Sequence, residues 1–367
     1  MRIALVHDFL VKLGGAERVL KALADLFPSA PIYTLLYDEK STGHIFPKNR
    51  IRTSFFQKLP SFITKKQRYL LPFFPKEIEM FEFRDFDMVI SSSSAFAHGI
   101  IVPQETAHLC YCHSPMRYAW DWTHEYRTEQ HVGPIRQAAM ALLLKKIRMW
   151  DQIAKDRPDR YLANSRNVQA RLRKYYRLDS TVVYPPVDID RFNVHKGHED
   201  YFLIISTLTP YKRIELAILL FNKLKRHLII VGDGSDTARL QNLAGKTIEF
   251  TGFRPDDVVT EYLQNCRALI FPGEDDLGIV PVEAMACGKP VLAYGKGGAL
   301  ETVLSGKTGE FFSEPTVESM EDGLARLLAH EKEYNPDVIR QRAEEFRRER
   351  FEKEIQQEIL PLHHHQP

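Results

Sequence analysis

The stretch "FPGEDDLGIVPVEAMACGKPVLAYG", residues 271–295, places an acidic cluster and a glycine between two short apolar runs. Short, continuous apolar runs are typical of strands that are buried on both faces of a parallel sheet. Between the runs, the residues that follow Gly278 have a helical pattern and include Glu283. The stretch therefore predicts a strand, an acidic loop, a helix and a second strand, which is the repeating unit of α/β folds.

The same unit recurs along the whole chain. Helical patterns separate the apolar runs, and in "RIELAILLFNKLKR" the apolar residues between Ile214 and Leu224 fall on one helix face. We therefore predict an α/β protein made of two doubly wound, Rossmann-like domains with parallel sheets. The predicted strands lie in "RIALVHDF", "PIYTLL", "FDMVISSSS", "AHLCYCH", "RYLANS" and "STVVYPPV" of the first half, and in "YFLIIST", "HLIIVGDG", "TIEFTGF", "RALIFPG" and "PVLAYG" of the second.

The 367 residues exceed what one hydrophobic core usually supports, so two domains are expected. Periodicity is lost in "YPPVDIDRFNVHKGHED", residues 184–200, where paired prolines precede a polar run, and we place a hinge there. The predicted divisions are residues 1–190, residues 191–345 and a last segment, residues 346–367. That segment is a charged helix, a candidate to cross back to the first domain, with a disordered tail.

Charge and cysteine content narrow the class of protein. The 50 Lys and Arg residues nearly balance the 48 Asp and Glu residues, which argues against a nucleic-acid partner. No apolar stretch approaches the ~20 residues that span a bilayer, and "MRIALVHDFL" is too short for a secretion signal, so we expect a cytoplasmic protein. Four cysteines without paired spacing predict buried free thiols: Cys110, Cys112, Cys266 and Cys287.

Ligands bind outside the carboxyl ends of the strands in open parallel sheets, so the loops that follow strands are candidate walls of a site. The loop "HDFLVKLGGAE" contains Gly14 and Gly15, which either let the backbone approach a ligand or form a tight turn and helix cap. It does not match the dinucleotide fingerprint G-x-G-x-x-G. The loop "CYCHSPMRYAWD" begins with His113, a candidate contact to a substrate hydroxyl. Cys110, Cys112 and His113 would form a poor tetrahedron, so we expect no zinc site there.

Two further loops carry charge. "STLTPYKRIE" places Lys212 and Arg213 at the start of a predicted helix, where cations are favourable only if an anion lies nearby. The pair suits a diphosphate, and a solvated surface pair is the alternative. In the stretch quoted first, the carboxylate of Glu283 can accept two hydrogen bonds from a ribose diol, and the N–H groups after Gly278 can hold phosphate oxygens. Asp275 would then face the sugar or the reacting centre.

Two D-x-D sequences, residues 85–87 and 188–190, have the pattern of a site that holds a nucleotide-bound metal. The first precedes its strand and the second lies in the hinge. Neither stands at the end of a strand, where such a metal would be held, so we predict turn residues in both.

Basic and large apolar residues are interleaved in "FFQKLPSFITKKQRYLLPFFPK", residues 55–76. This mixture suits the interface of an anionic membrane, where a lipid-linked acceptor would lie. It equally suits a helix and loop packed on the first domain with the lysines in water. The basic residues expected to meet a membrane are Lys58, Lys65, Lys66 and Arg68.

Several of these motifs resemble one known family. "PYKRIELAI", "FPGEDDLGIVPVEAMACGKPVLAYGKGGALE" and "YPPVDIDRF" resemble the retaining family 4 glycosyltransferases of the GT-B fold, whose two Rossmann-like domains face each other across a cleft. "CYCHSPMRYAWD" and "LGGAERV" resemble the bacterial branch that builds O-antigen and exopolysaccharide, which includes many mannosyltransferases. The resemblance covers nearly the whole chain.

The resemblance implies a metal-independent hexosyltransferase without a cofactor. It would move a sugar from a nucleotide-sugar donor, with mannose from GDP-mannose as the expectation, to a hydroxyl of a lipid-linked saccharide or polysaccharide at the inner face of the membrane. The acceptor hydroxyl attacks the anomeric carbon and the nucleoside diphosphate leaves, while fixed cations and helix N-termini stabilise the departing charge.

Site residues follow from the same resemblance, position by position. Lys212 would hold the donor diphosphate, Glu283 its ribose and His113 the transferred sugar, with Lys212, His113 and Asp275 as the catalytic set. Gly14 and Gly15 would close over the donor or the acceptor. The remaining expected donor contacts are Thr207, Arg213, Phe253, Arg254, Glu274, Asp275, Gly278, Ile279 and Val280.

Two positions depart from the family pattern. The first glutamate of the acidic motif is Asp275, one methylene shorter, with Glu274 adjacent. The arginine that often accompanies the lysine is replaced by Thr207, so the second positive charge is expected from Arg213. Two alternatives stay open: a nucleotide-sugar 2-epimerase of the same fold, and a non-catalytic subunit that binds a nucleotide sugar.

Overall fold

The computed structural model describes residues 1–64, 69–121 and 134–364. The chain forms two compact units, each with its own parallel sheet. The first unit is Met1–Tyr184 together with Phe351–Pro367, and the second is Pro185–Arg350. The division expected after residue 190 therefore falls inside the second unit.

Seven parallel strands form the sheet of the first unit: β1 (Ile3–Leu10), β2 (Ile32–Tyr37), β3 (Ile51–Thr53), β4 (Met88–Ser93), β5 (Ala107–Cys112), β6 (Arg160–Ala163) and β7 (Thr181–Val182). Their spatial order is β3-β2-β1-β4-β5-β6-β7, so the order reverses between β1 and β4. Nearly all residues of β1 are buried, because helices cover both faces of the sheet.

The described helices of this unit are α1 (Gly15–Leu26), α2 (Glu39–Thr42), α3 (Ser61–Thr64), α4 (Phe74–Glu79), α5 (Pro134–Ala154) and α6 (Arg166–Tyr175). Alternate residues of β1 enter two hydrophobic clusters, as the period of a strand requires. Leu5 packs in one cluster with Leu20 of α1. Val6 packs in the other with Phe74 of α4 and Ile147 of α5.

Six parallel strands form the sheet of the second unit: β8 (Phe202–Ile205), β9 (Leu228–Val231), β10 (Ile248–Gly252), β11 (Ala268–Phe271), β12 (Val291–Tyr294) and β13 (Gly309–Phe312). Their spatial order is β10-β9-β8-β11-β12-β13, and it reverses between β8 and β11. The described helices of this unit are α7 (Ile214–Leu224), α8 (Thr237–Leu243), α9 (Asp256–Asn265), α10 (Ile279–Ala286), α11 (Ala299–Thr302), α12 (Val317–Ala329) and α13 (Pro336–Glu344). The last helix, α14 (Arg348–His364), belongs to the first unit from Phe351 onward.

The predicted fold class, two doubly wound parallel sheets, is confirmed. The predicted strands did not include β3 and β13, which lie at the edges of their sheets. The four cysteines are free and buried, as predicted. No helix in the part of the chain that the structure describes is long and apolar enough to cross a membrane.

Candidate functional site

A charged pair lies at the carboxyl edge of the second sheet. Strands β8 and β11 are hydrogen-bonded neighbours at the reversal point, so the loops that follow them leave the sheet side by side. Lys212 ends a 3-10 turn, Pro210–Lys212, after β8, and Asp275 lies in the loop after β11. Nζ of Lys212 is 2.5 Å from Oδ2 of Asp275, and the two side chains are mostly buried. Two predicted site residues from separate loops are thus brought into contact.

Glycines at two positions allow this close approach of the backbone. A Cβ atom at Gly273 would lie 2.9 Å from Cα of Lys212, and a Cβ atom at Gly298 would lie 2.1 Å from Cα of Leu277. Both separations are far shorter than the ~3.5 Å at which carbon atoms pack. Any other residue would push the loops apart, so these glycines bring the loops after β8, β11 and β12 together.

Arg213 has an unusual backbone conformation. Its φ is 52°, in the left-handed region that favours glycine, and it stands directly before α7. Its guanidinium carbon lies 5.1 Å from the ring centre of Tyr294. Nη1 of Arg213 is buried without a hydrogen-bond partner in the described part of the chain, whereas Thr207 is exposed at the end of β8. Arg213 follows Lys212 directly in sequence, and its role as the second cation at a diphosphate stays a prediction.

Glu283 is buried on α10 and paired. Gly278, with φ 85°, precedes this helix, and Ile279 and Val280 are its first two residues. Nη2 of Arg191 donates a hydrogen bond of 3.1 Å to Oε1 of Glu283, whose side chain is only 7% exposed. The positive φ of Gly278 allows the chain to turn from the acidic loop into the helix that carries Glu283.

Arg191 joins Glu283 to another expected contact loop. Its Nη1 donates a hydrogen bond of 2.6 Å to Oδ2 of Asp256, at the start of α9. Phe253 and Arg254, expected to contact the donor, lie just before Asp256 in the loop after β10 and are exposed. The sequence indicated the loop and the glutamate separately, but gave no sign of the arginine that links them.

Three consecutive serines of β4 each contact a different histidine in the first unit. The pairs, given as serine Oγ to ring nitrogen, are Ser91 to His108 at 2.8 Å, Ser92 to His113 at 2.7 Å and Ser93 to His98 at 3.2 Å. Because side chains alternate along a strand, Ser92 and His113 lie on the opposite face from the other two pairs. The first three serines of the polar run "SSSS" are therefore buried partners of histidines.

His113 directly follows β5 and is 8% exposed. Burial and the nearby charge of His7 lower the pKa of His113 to about 3, although the negative charge of Glu17 acts to raise it. The imidazole is therefore neutral at physiological pH. It can donate or accept one hydrogen bond at each ring nitrogen, depending on its tautomer.

Glu17 and His7 complete the surroundings of His113. Nδ1 of His7 lies 3.1 Å from both O and Oγ of Ser92, and its Nε2 lies 3.6 Å from Oε1 of Glu17. Burial acts to raise the pKa of Glu17, but the hydrogen bond and charge of His7 outweigh it, so the pKa is lowered. Gly14 caps α1 and Gly15 begins it, and a Cβ atom at Gly14 would lie 3.0 Å from Oε2 of Glu17. Gly14 thus leaves room for the largely buried carboxylate of Glu17.

The remaining predicted residues are those of a membrane-facing surface and of the two D-x-D sequences. Lys58 is exposed, with Nζ 6.0 Å from the ring centre of Phe55, whereas Lys65, Lys66 and Arg68 lie outside the described residues. In the D-x-D sequences, Asp87 pairs with Arg2 and Asp190 with Arg347. Within the described ranges, no three His, Cys, Asp or Glu side chains are grouped to hold a metal ion.

Comparison with known proteins gives two family matches. Residues 13–191 match the model described as Glycosyltransferase Family 4, and residues 188–345 match the model described as Glycosyl transferases group 1. The two matches meet in the predicted hinge. The two matches together cover residues 13–345, so the chain belongs to the glycosyltransferases of GT-B type. Its first unit carries the family 4 domain and its second unit the group 1 domain.

Individual relatives match over shorter ranges. The chain is 25% identical over 200 residues to an uncharacterized glycosyltransferase of Methanocaldococcus jannaschii, covering 52% of this chain and 57% of that protein. It is 30% identical over 175 residues to a GDP-mannose-dependent alpha-(1-6)-phosphatidylinositol monomannoside mannosyltransferase of Mycolicibacterium smegmatis, covering 40% of this chain and 46% of that protein. The chain thus spans about half the length of these relatives.

One solved structure similar to this chain is Anabaena HepE in complex with UDP-glucose. The TM-score is 0.72 at 17% identity, and the match covers 98% of this chain and all of that one. At this identity the similarity establishes the fold alone, and the fold is that of the GT-B glycosyltransferases.

Proposed function

We propose that the protein is a retaining glycosyltransferase that moves a sugar from a nucleotide-sugar donor to an acceptor hydroxyl. The observation that carries this proposal is two charged contacts in the second unit, Lys212 with Asp275 and Arg191 with Glu283. Lys212 follows β8, and Asp275 and Glu283 follow its neighbour β11. Cations and buried carboxylates together suit a ligand with both a diphosphate and a diol.

Each charged group then has a role in holding the donor. Lys212 and Arg213 bind the diphosphate, and the N–H groups of Gly278, Ile279 and Val280 bind its oxygens at the start of α10. Glu283, held by Arg191, accepts hydrogen bonds from the ribose hydroxyls. As the bond to the anomeric carbon breaks, negative charge grows on the leaving diphosphate, and the fixed cations stabilise it.

Residues of the first unit are proposed to serve the transferred sugar and the acceptor. His113 is neutral, so it contacts a sugar hydroxyl by hydrogen bonding and does not act as a fixed positive charge. Asp275 is proposed to meet the sugar once the donor diphosphate has engaged Lys212. We further propose that neither a metal ion nor another cofactor takes part.

The donor is proposed to be GDP-mannose, because a relative that shares 30% identity with this chain is named as GDP-mannose-dependent. The acceptor is proposed to be a lipid-linked saccharide or polysaccharide of the cell surface, such as an O-antigen or exopolysaccharide.

The test has a binding step and a transfer step. Thermal unfolding is measured with GDP, UDP and ADP sugars, since a ligand that binds only the folded protein raises its melting temperature. The stabilising donor is then incubated with and without acceptor lipid extracts, in the presence of EDTA. Stabilisation by GDP-mannose and mannose transfer support the proposal. Isomerised sugar nucleotide without acceptor would indicate an epimerase, and binding without any turnover would indicate a non-catalytic subunit.

We also propose that the protein acts at the inner face of the cytoplasmic membrane, bound peripherally. Exposed large apolar side chains are concentrated in two segments, residues 55–80 and 142–153, and both segments also pack into the hydrophobic cluster that contains Phe74 and Ile147. The exposed residues of these segments are Phe55, Phe62, Tyr69, Phe73, Met80, Leu142, Met149 and Ile153.

The exposed face of α5 adds positive charge to this surface. Leu142, Met149 and Ile153 are 64%, 59% and 67% exposed, and Lys145 and Lys146 lie between Leu142 and Met149 in sequence. The one acidic residue of α5, Asp151, is fully buried. An apolar stripe flanked by lysines is suited to an anionic lipid surface.

Liposome co-sedimentation tests membrane binding. A variant with Lys58, Lys65, Lys66 and Arg68 changed to glutamate is compared with a control in which four exposed lysines of the second unit are changed: Lys223, Lys246, Lys307 and Lys332. We expect the wild type and the control to sediment with anionic vesicles and the first variant to stay in solution. Equal partitioning of all three would refute the proposal.

A further inference from the structure

A chain of buried polar contacts runs from α1 to His113. Glu17 contacts His7 at 3.6 Å, His7 contacts Ser92 at 3.1 Å and Ser92 contacts His113 at 2.7 Å. His7 and Ser92 are almost completely buried. Hydrogen bonds in such a place are strong and the protons in them have definite positions, because an unsatisfied donor or acceptor is costly without water.

The backbone of Ser92 determines where the protons lie. Its carbonyl oxygen can only accept, and it lies 3.1 Å from Nδ1 of His7, so Nδ1 of His7 carries a proton. Oε1 of the Glu17 carboxylate, which also can only accept, lies 3.6 Å from Nε2, so both ring nitrogens of His7 face acceptors and the form with a proton on each nitrogen satisfies them. His7 therefore donates toward Ser92 and has no lone pair to offer the hydroxyl there.

The direction of the next hydrogen bond follows. Nδ1–H of His7 lies 3.1 Å from both the carbonyl oxygen and Oγ of Ser92, so Oγ shares in accepting this hydrogen bond, and the hydroxyl proton of Ser92 is left to donate to Nε2 of His113. Neutral His113 then accepts at Nε2 and carries its single proton on Nδ1. If His113 instead carried its proton on Nε2, the N–H groups of His7 and His113 would both point toward Oγ of Ser92. The hydroxyl proton of Ser92 would then have no ring nitrogen to donate to.

We propose that His7 and Ser92 are positioning residues that fix His113 as the tautomer with its proton on Nδ1, so that His113 offers an N–H donor to an oxygen of the substrate. The proposal rests on the proposed function in taking His113 as a substrate contact. Glu17 holds His7 from the other side, and Gly14 leaves the space that the carboxylate of Glu17 fills.

The tautomer can be measured on the protein as it exists. In long-range ¹H–¹⁵N spectra of histidine-labelled protein, the cross-peak pattern of an imidazole distinguishes a proton on Nδ1 from a proton on Nε2. Loss of one signal in a His113→Asn variant assigns the ring. We expect the Nδ1-protonated form in the wild type, and the Nε2-protonated form there would overturn the proposal.

Two matched pairs of variants test the residues that fix it. Ser92→Ala removes the donor to His113, whereas Ser91→Ala removes an equally buried hydroxyl that contacts His108 on the opposite face. His7→Asn keeps an N–H near the position of Nδ1, and His7→Leu removes it. We expect Ser92→Ala and His7→Leu to give mixed tautomers of His113.

Kinetics separate positioning from a merely structural role. We expect Ser92→Ala and His7→Leu to lower kcat about tenfold, the worth of one hydrogen bond, with a much smaller change in the donor KM. Ser91→Ala and His7→Asn should stay close to the wild type in kcat and in the tautomer of His113. Wild-type kcat and an unchanged tautomer in Ser92→Ala would overturn the inference while the proposed function stands. If the wild type transfers no sugar, the proposed function fails, and the spectra still decide whether His7 and Ser92 set the tautomer.

Discussion

Arg191 donates a hydrogen bond of 3.1 Å from Nη2 to Oε1 of Glu283, across 92 positions of sequence. The carboxylate is 7% exposed, so its negative charge would be unfavourable without this partner. The same guanidinium binds Asp256 through Nη1 and lies over the ring of Phe192 at 4.4 Å. Arg191 is therefore held from three sides and fixes the direction of the Glu283 carboxylate.

Arg191→Met is expected to raise the donor KM about tenfold or more, because a freed Glu283 loses the orientation that a ribose diol needs. Loss of one partner of a buried pair also costs about 3–5 kcal/mol of stability. Arg239→Met is the matched control, since Arg239 pairs with Asp236, another buried carboxylate of the second unit, at 2.6 Å. Steady-state kinetics and thermal unfolding should show loss of stability in both variants and loss of donor affinity in Arg191→Met alone. An equal effect on KM in both would contradict the role of Arg191.

Much of the fold was predictable because buried parallel strands are continuous apolar runs, separated by helices of a different period. The same logic put Lys212 and Asp275 on loops after strands, and strand order then brings those loops together. The sequence could not predict contacts between side chains that are far apart along the chain. Arg191 lies in a hinge segment with no local signal for a contact to Glu283.

In the first unit, local pattern also failed to reveal the partners of His113. Ser92 is one of four consecutive serines, and their alternation between two faces matters only once β4 is placed between its neighbours. Glu17 lies two residues after Gly15, in the motif that contains the glycine pair. Its role depends on burial, which a charged residue in the first turn of a helix does not ordinarily indicate.

Lys212→Met is expected to lower kcat about 100-fold or more while the protein stays folded, because a fixed cation at the leaving diphosphate acts mainly in the transition state. Lys223→Met is the control, since Lys223 forms an exposed ion pair with Glu321 at the same 2.5 Å separation. Single-turnover rates with the stabilising donor provide the measurement. A Lys212→Met protein with wild-type rates would remove the assigned role.

Asp275→Asn tests the other half of that pair. The carboxylate competes with the diphosphate for Lys212, so its neutralisation should leave the affinity for the nucleoside diphosphate unchanged or higher. Transfer should still slow if Asp275 meets the sugar. Calorimetric titration with the nucleoside diphosphate and turnover with the complete donor separate the two effects. Weaker binding of the nucleoside diphosphate would contradict this account of Asp275.

Arg213→Gly is expected to keep the fold and weaken donor binding. Glycine adopts the left-handed conformation of Arg213 without strain, so the melting temperature should be maintained despite the lost contact with Tyr294. Donor affinity should fall about tenfold with the loss of one cation at a diphosphate. Adding Thr207→Arg restores the arrangement of the resembling family and should recover affinity. If the double variant binds the donor no better than Arg213→Gly, an arginine at position 207 does not replace the cation at position 213.

His108 gives the folded protein a pH dependence of stability that does not involve the candidate site. Burial, with the nearby charges of His98 and Arg157, lowers the pKa of His108 from 6.5 to about 3. Nε2 of His108 lies 2.8 Å from Oγ of Ser91, and its Nδ1 is buried without a hydrogen-bond partner among the described residues. In the folded protein the imidazole of His108 is therefore neutral.

Because the folded pKa lies below the unfolded value of 6.5, the unfolded chain binds the proton first as the pH falls. The contribution of neutral His108 to stability is complete above pH 6.5 and is lost progressively as the pH falls toward about 3. At about pH 5 the loss amounts to about 2 kcal/mol, from 1.36 kcal/mol per unit of pKa. The unfolding free energy can be measured with urea at about pH 7.5 and again at about pH 5. We expect the decrease between these two pH values to be about 2 kcal/mol smaller in His108→Gln than in the wild type. His227→Gln, which changes a half-exposed histidine of the second unit, should leave the difference unaltered. A pH difference in His108→Gln equal to that of the wild type would show that this ring is not the group that destabilises the fold in acid.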